Sequence, residues 1–198
     1  MRLTPLSALA LVTALALPAT AHAQRASALD SPRMIRIGIG GGVSVPTSDF
    51  KENFDQGYNA QAFLLIRPPG LPLSFRVTGT YDRFDREPVV TSGFEQDGYS
   101  QIAGALANVT LHLPLGGVSP YVIAGLGALN FKNVVNTASG EIDASRTEFA
   151  IDGGAGLAFR LLGADAFIEG RVANVYTDRG FVDAKTIAYV PVTLGIIF

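Results

Sequence analysis

Three features of the chain predict its fold class. Eight runs between Ile35 and Phe198 alternate apolar with small or polar residues, the connections between them are alternately long and short, and charges within the runs keep to one parity class. Together they predict an all-β chain: an eight-stranded antiparallel up-and-down transmembrane β-barrel with a polar, plugged interior. A strand sends successive side chains to opposite faces, so each run has one continuous greasy face. The charges on the other face decide what covers it.

The bulk properties narrow the alternatives. At 198 residues the chain is long enough for one domain. Its 15 basic and 17 acidic residues leave no basic footprint, so no nucleic-acid partner is expected. There is no cysteine, which excludes a disulfide framework, a thiolate metal site, a cysteine nucleophile and a lipidated cysteine. Residues 1–23 read as a signal peptide: Met1-Arg2 is a short positive start, Leu9 to Leu17 is apolar, Pro18 breaks the run, and Ala21-His22-Ala23 is a small-x-small cleavage pattern. Residues 24–34 read as a flexible periplasmic lead-in, and 35–198 as the barrel domain. Beyond Gln24 no apolar run reaches the roughly 18 residues that a spanning helix needs.

The runs follow in order. The first places Ile35, Ile37, Ile39, Val43 and Val45 on one face, with Arg36, Gly38, Gly40, Gly42 and Ser44 on the other. Polar residues from Pro46 to Gln56 form the first long connection. The second run sets Tyr58, Ala60, Ala62, Leu64 and Ile66 against Asn59, Gln61, Phe63, Leu65 and Arg67. Pro68, Pro69, Gly70 and Pro72 then force a tight connection. The third is the cleanest, with Leu73, Phe75, Val77, Gly79 and Tyr81 against Ser74, Arg76, Thr78, Thr80 and Asp82. Arg83 to Asp97 reads as a long charged loop. The fourth run, Gly98 to Leu113, sets Ala103, Ala105, Ala107, Val109, Leu111 and Leu113 against Gly104, Asn108, Thr110 and His112.

Pro114 to Pro120 is the next short connection. The fifth run, Tyr121 to Lys132, alternates weakly because both its faces are small or apolar. Asn133 to Ser145 reads as a third long loop. The sixth run sets Phe149, Ile151, Ala155, Leu157, Phe159 and Leu161 against Glu148, Asp152, Gly154, Gly156 and Arg160. After a turn at Leu162 to Asp165, the seventh sets Ala166, Ile168, Gly170, Val172 and Tyr176 against Phe167, Glu169, Arg171 and Ala173. A last polar loop, Thr177 to Ala184, leads to the eighth run, whose greasy row is Val190, Val192, Leu194, Ile196 and Phe198. Pro191 lacks a ladder donor and predicts a bulge or a carbonyl satisfied by water.

Every long loop therefore lies at one end of the meander and both ends of the barrel domain at the other, the asymmetry of membrane barrels. An arginine facing lipid at the midplane costs about 2–4 kcal/mol, so the charged parity must face inward and the greasy parity outward. Charges of both signs can pair inside, and a lumen of eight strands is just wide enough for side chains to fill it. The interior network is expected to comprise Arg36, Arg76, Asp152, Arg160, Glu169 and Arg171, with Arg160 diagonal to Glu169 across the turn. Aromatics complete the picture as two interface belts: Tyr58, Tyr81, Tyr99, Phe131 and Tyr176 towards the long loops, and Phe75, Tyr121, Phe159 and Phe198 towards the short turns. Closure requires the last run to pair with the first, because a membrane barrel can leave no edge open.

With these features in place, the stretch from Ile35 to Phe198 resembles the small bacterial outer-membrane β-barrel proteins of the OmpA/OmpX-like eight-stranded class. The resemblance implies a bacterial outer-membrane protein of the cell envelope, porin-like in architecture, with long loops extracellular and termini periplasmic. Its partners would be outer-membrane lipid and lipopolysaccharide, plus the barrel-assembly machinery during biogenesis. Val190, Val192, Leu194, Ile196 and Phe198 would then be the assembly signal. The chain departs from the long members in having no peptidoglycan-binding domain after its last strand, and its loops are shorter than those of adhesin-type relatives. Cell-wall anchoring and large-surface adhesion are therefore not expected.

Chemistry-bearing motifs are sparse. The glycines at 38, 40, 41 and 42 do not complete a dinucleotide fingerprint, since Val43 stands where the third glycine would be and no helical pattern follows. They read as small residues easing strand bending and interior packing. Once His22 leaves with the signal peptide, His112 is the remaining histidine, too few for a metal site or a catalytic triad. No catalytic residue, cofactor or metal is expected. The expected role is structural or surface-interacting, in a monomer. A narrow pore for small solutes or ions and an outer-membrane lipid-modifying enzyme are the alternatives. A soluble lipid-carrying barrel would need an apolar interior, against the inward charges.

Overall fold

The alternation closes into one ring. The computed structural model describes residues 34–47, 55–85, 89–91, 94–96, 98–113, 115, 117–137, 140–161, 164–176 and 186–198. The expected signal peptide over 1–23 and nearly all of the expected lead-in over 24–34 lie outside the described residues. The strands are β1 (Ile35–Thr47), β2 (Gly57–Ile66), β3 (Leu73–Asp85), β4 (Val89–Thr91), β5 (Phe94–Gln96), β6 (Gly98–His112), β7 (Val118–Thr137), β8 (Gly140–Leu161), β9 (Ala164–Tyr176) and β10 (Thr186–Ile197). Eight of them form a closed barrel in the order β1-β2-β3-β6-β7-β8-β9-β10, and β10 returns to β1. Each pairs antiparallel with its neighbours, and the seam runs from Gly38↔Ile197 to Thr47↔Ala188. The shortest barrel strand, β2, has 10 residues, enough to cross a bilayer when tilted.

The outer wall is apolar all the way round. Each barrel strand turns a large apolar side chain outward and leaves it exposed: Ile37, Leu64, Val77, Val109, Leu126, Leu157, Val172 and Leu194 in ring order. The lumen side of the same strands holds Arg36, Gln61, Arg76, Asn108, Asp152, Arg171 and Thr193, all buried. This is the inverse of a water-soluble barrel, and it is what a hydrocarbon environment requires: no polar backbone edge, no outward charge at mid-height, and a greasy wall.

The lumen is layered rather than uniformly polar. Towards the long-loop end it is plugged by Phe84, Ile102, Leu129, Phe131, Val175, Ile187 and Tyr189. There the Phe84 and Tyr189 rings meet edge-on with centroids 5.6 Å apart. Towards the short-turn end lie Phe63, Leu65, Phe167 and Ile197, with Phe63 and Phe167 edge-on at 5.5 Å. The polar network sits between these apolar layers. Inward glycines make the room. A Cβ on Gly156 would lie 2.4 Å from Cζ of Tyr121, and one on Gly125 would lie 2.0 Å from Nδ2 of Asn108, so large luminal side chains lie flat across neighbouring strands.

Four expectations need correcting here. The stretch from Arg83 to Asp97 is not simply a loop: β3 continues to Asp85, and β4 and β5 pair as a small hairpin. Likewise much of Asn133 to Ser145 is ladder, with β7 and β8 paired from Asn133↔Ala144 out to Thr137↔Gly140. Apolar alternation marks burial, and a ribbon beyond the membrane keeps its hydrogen bonds without it. No bulge forms at Pro191. The β9 ladder omits Val190 and Pro191 yet keeps its register, with Tyr189↔Ala173 and Val192↔Gly170 on either side, while Ser44↔Pro191 continues the β1 side. Finally, Tyr121 and Phe131 are not interface aromatics. They point into the lumen and are buried, because β7 is apolar on both faces and its parity is set by its neighbours.

Candidate functional site: the luminal charge network

Glu169 on β9 is the centre of the network, with 1% of its surface exposed. Arg76 on β3 donates from Nη1 to Oε2 at 2.7 Å and from Nη2 to Oε1 at 3.1 Å, a bidentate fork. The Tyr121 hydroxyl on β7 donates to Oε2 at 2.8 Å, and Gln61 Nε2 on β2 approaches Oε1 at 3.4 Å. Arg171, two residues along β9, places Nε 3.3 Å from Oε1. Its other nitrogens reach Asp152 Oδ2 on β8 at 2.9 Å and Gln61 Oε1 at 2.7 Å. Asn108 on β6 donates to Asp152 Oδ1 at 2.8 Å and accepts from Thr78 Oγ1 at 3.1 Å. Arg76 also lies over the Phe63 ring, 3.8 Å from its centroid, a cation–π contact that holds the guanidinium in plane.

The electrostatics follow from the count of charges. Two carboxylates, Glu169 and Asp152, face two guanidiniums, Arg76 and Arg171, so the core of the network is neutral. Its members come from β2, β3, β6, β7, β8 and β9, and the network therefore crosses the lumen rather than lining a path through it. Between apolar layers the local dielectric is low, which strengthens each bond and raises the cost of breaking one.

Two satellite clusters flank the centre. Near the long-loop plug, the buried carboxylate of Asp82 accepts from Ser44 Oγ at 2.6 Å, Thr80 Oγ1 at 3.1 Å and the Tyr189 hydroxyl at 3.3 Å. Asn59 extends this cluster to β10 through Thr193 Oγ1 at 2.8 Å. At the short-turn mouth, Asp165 accepts from Arg36 and, at 3.1 Å, from Arg160 Nε.

The expected network residues thus divide. Arg76, Asp152, Glu169 and Arg171 meet at the centre, whereas Arg36 and Arg160 belong to the mouth. Arg160 does not reach Glu169. It stands opposite Asp165 in the ladder and half its side chain is exposed, at 51%. Asp165 itself, read as part of a turn, is buried on β9; its parity with Phe167, Glu169 and Arg171 was the available signal. Tyr121 carried no such signal, since Val122, Ala124 and Leu126 on the other parity are equally apolar. His112 packs against Tyr121 with ring centroids 5.2 Å apart.

The other aromatics expected at the interfaces lie on the outward parity. Tyr58, Phe75, Tyr176 and Phe198 are exposed, and Tyr81, Tyr99 and Phe159 are half-buried. Tyr58 packs on Tyr81, Phe149 on Tyr176, and Arg83 over the Tyr99 ring. Val192, Leu194, Ile196 and Phe198 are outward and exposed, with Val190 half-buried above them.

Fold and site together define an eight-stranded transmembrane barrel with a plugged lumen. No protein-family model matches the sequence. No curated protein matches it at a significant level. Solved structures do resemble it. Neisserial surface protein A superposes with a TM-score of 0.56 at 15% identity, covering 83% of this chain and 96% of that one. A major outer membrane protein from Thermus thermophilus superposes with a TM-score of 0.54 at 14% identity, covering 83% and 97%. At these identities the likeness is one of fold.

Proposed function

We propose that this chain is a non-catalytic integral β-barrel of the bacterial outer membrane, with a structural or surface-interaction role. The observation that carries the reading is the pairing of an outer wall that is apolar at mid-height all the way round with a lumen plugged above and below a neutral charge network. The outer wall calls for a bilayer, and closed barrels of this size are the strand-built solution to crossing one. Names of the structural neighbours, a neisserial surface protein and a major outer membrane protein of Thermus, support the location. The long-loop end faces outward and the chain termini face the periplasm. Outer-membrane lipid and lipopolysaccharide surround a monomer, and the assembly machinery receives the β10 row that ends at Phe198. The plug argues against the narrow pore, because Phe131, Ile187 and Tyr189 occupy the lumen that ions would cross.

The test combines fractionation with topology. The protein should partition with the outer membrane and migrate differently on a gel before and after boiling. Because the chain has no cysteine, single-cysteine variants report cleanly. Asp85→Cys, at the long-loop end, should react with an impermeant maleimide on whole cells. Leu71→Cys, in the turn between β2 and β3, should react only after permeabilisation. Reversed labelling would overturn the orientation, and recovery from the soluble periplasm would overturn the whole reading. In planar bilayers the purified protein should give no discrete conductance steps.

A further inference from the structure

The lumen has a pocket that the charge network does not fill. It lies towards the short-turn end, where its wall divides into two halves. Phe63 and Leu65 on β2 and Ile197 on β10 form an apolar half. Thr110 and His112 on β6 and Tyr121 on β7 bring polar atoms to the other. Between the halves is a space of about 20 Å³ over which the centre of a water-sized guest can lie. A single water needs roughly 10–15 Å³ by that measure, so the pocket takes one compact guest. Ala158 on β8 makes the room, because a larger side chain at this buried position would fill it.

The polar half is short of partners. Among the described residues, the hydroxyl of Thr110, which is 2% exposed, and both ring nitrogens of His112 make no hydrogen bond. Burying a polar group with no partner is costly. Thr110 and His112 are two residues apart on the inward parity of β6, roughly 6.8 Å along the strand. That is too far for one to bond the other, and it is close to two hydrogen bonds of roughly 3 Å laid end to end. One guest seated between them answers both.

Charge decides what the guest is. Arg67 and Arg76 line the pocket, and its described lining holds no carboxylate. Arg67 is steered there by its Nε, which donates to Ser74 Oγ at 3.3 Å, and Ser74 is the ladder partner of Thr110. Arg76 is bound to Glu169, which lies outside the lining. The Tyr121 hydroxyl is already committed to Glu169. Thr110 and His112 therefore supply the hydrogen bonds, one from the hydroxyl and one from the N–H that a neutral imidazole carries, and the two arginines supply the field.

We propose that this pocket is a site for one small monovalent anion of the halide class, held by the Thr110 hydroxyl and the His112 imidazole in the field of Arg67 and Arg76. The size of the space excludes polyatomic anions such as sulfate, and the apolar half offers a guest no competing acceptor.

Urea titration of the refolded barrel in sodium chloride and in sodium gluconate at equal ionic strength tests this, with the unboiled gel band as the folded readout. The wild-type midpoint should be higher in chloride, which binds the folded state, than in gluconate, an anion too large for the pocket. Thr110→Val keeps the shape and removes the hydroxyl. Its midpoint should be the same in both salts, and in gluconate it should match or exceed that of the wild type, because no hydroxyl is left unpaired. Crystals grown in sodium bromide should show one anomalous peak between Thr110 and His112. Equal wild-type midpoints in the two salts would overturn the proposal, as would a chloride dependence that Thr110→Val retains. So would a water at that place, with no anomalous signal in bromide. Should Thr110→Val not fold, the bromide peak decides alone. None of these outcomes bears on the membrane reading, which heat-modifiable migration tests separately.

Discussion

Replacing Glu169 with alanine removes the one carboxylate on which four luminal side chains converge: Arg76, Tyr121, Arg171 and, at 3.4 Å, Gln61. Arg76 loses both of its bonds to it, at 2.7 and 3.1 Å, and the Tyr121 hydroxyl loses its acceptor at 2.8 Å. Arg171 loses its contact at 3.3 Å but keeps Asp152 and Gln61. The core network then holds two guanidiniums against one carboxylate, so one positive charge is stranded between apolar layers. Breaking a buried pair in this way costs about 3–5 kcal/mol, or roughly two to three and a half orders of magnitude in the folding constant. Urea titration of the barrel in detergent or thin-bilayer vesicles, followed by the unboiled gel band, measures it. The double variant Arg76→Leu with Glu169→Ala restores one cation to one anion, and it should be more stable than Glu169→Ala alone. If Glu169→Ala costs less than about 1 kcal/mol, the scale of a solvated surface pair, the lumen is wet and the plugged-interior argument fails. It fails equally if the double variant is as unstable as the sum of its singles.

Further outcomes follow from the packing. Gly156→Val should destabilise by about 1–3 kcal/mol or prevent folding, since its Cβ would strike the Tyr121 ring at 2.4 Å. Gly153→Ala, whose Cβ meets nothing nearer than 3.8 Å, should stay within about 0.5 kcal/mol of the parent in the same titration. Leu126→Arg, at an outward position 55% exposed on β7, should cost about 2–4 kcal/mol when folding is measured into lipid vesicles; a neutral result would mean that this wall faces water. Deleting Phe198 should lower the amount of protein in the outer membrane, and unchanged levels would remove the β10 terminus from assembly.

Much of this protein was legible in order along its sequence, and the reason is physical. Facing lipid on one side and a crowded lumen on the other, a strand is written in a two-residue code, so runs such as Leu73–Tyr81 declare both their conformation and their outward face. The cation of Arg76 and the anion of Glu169 could be placed inside the barrel from the cost of putting them in lipid. Where that contrast fades, so does legibility. β7 has apolar residues on both parities, so its pattern does not show that Tyr121 and Phe131 face the lumen. The ribbon of β7 and β8 beyond Asn133 carries polar residues because it lies outside the apolar wall, so it read as a loop although its ladder continues.

What a strand pattern cannot contain is the distance across a ring. The sequence alone determined eight crossings, their alternating connections, the outward greasy rows and the seam between the first and last runs, since each depends on local periodicity or on the rule that no edge stays open. Only the tertiary structure decided which charges meet. Glu169 pairs with Arg76, 93 residues away, and Arg36 with Asp165, 129 residues away. Those pairings depend on the shear of the closed barrel, which sets the height at which each inward residue enters the lumen. They depend as well on inward glycines such as Gly156, whose missing side chain lets the Tyr121 ring lie across the strand and reach Glu169.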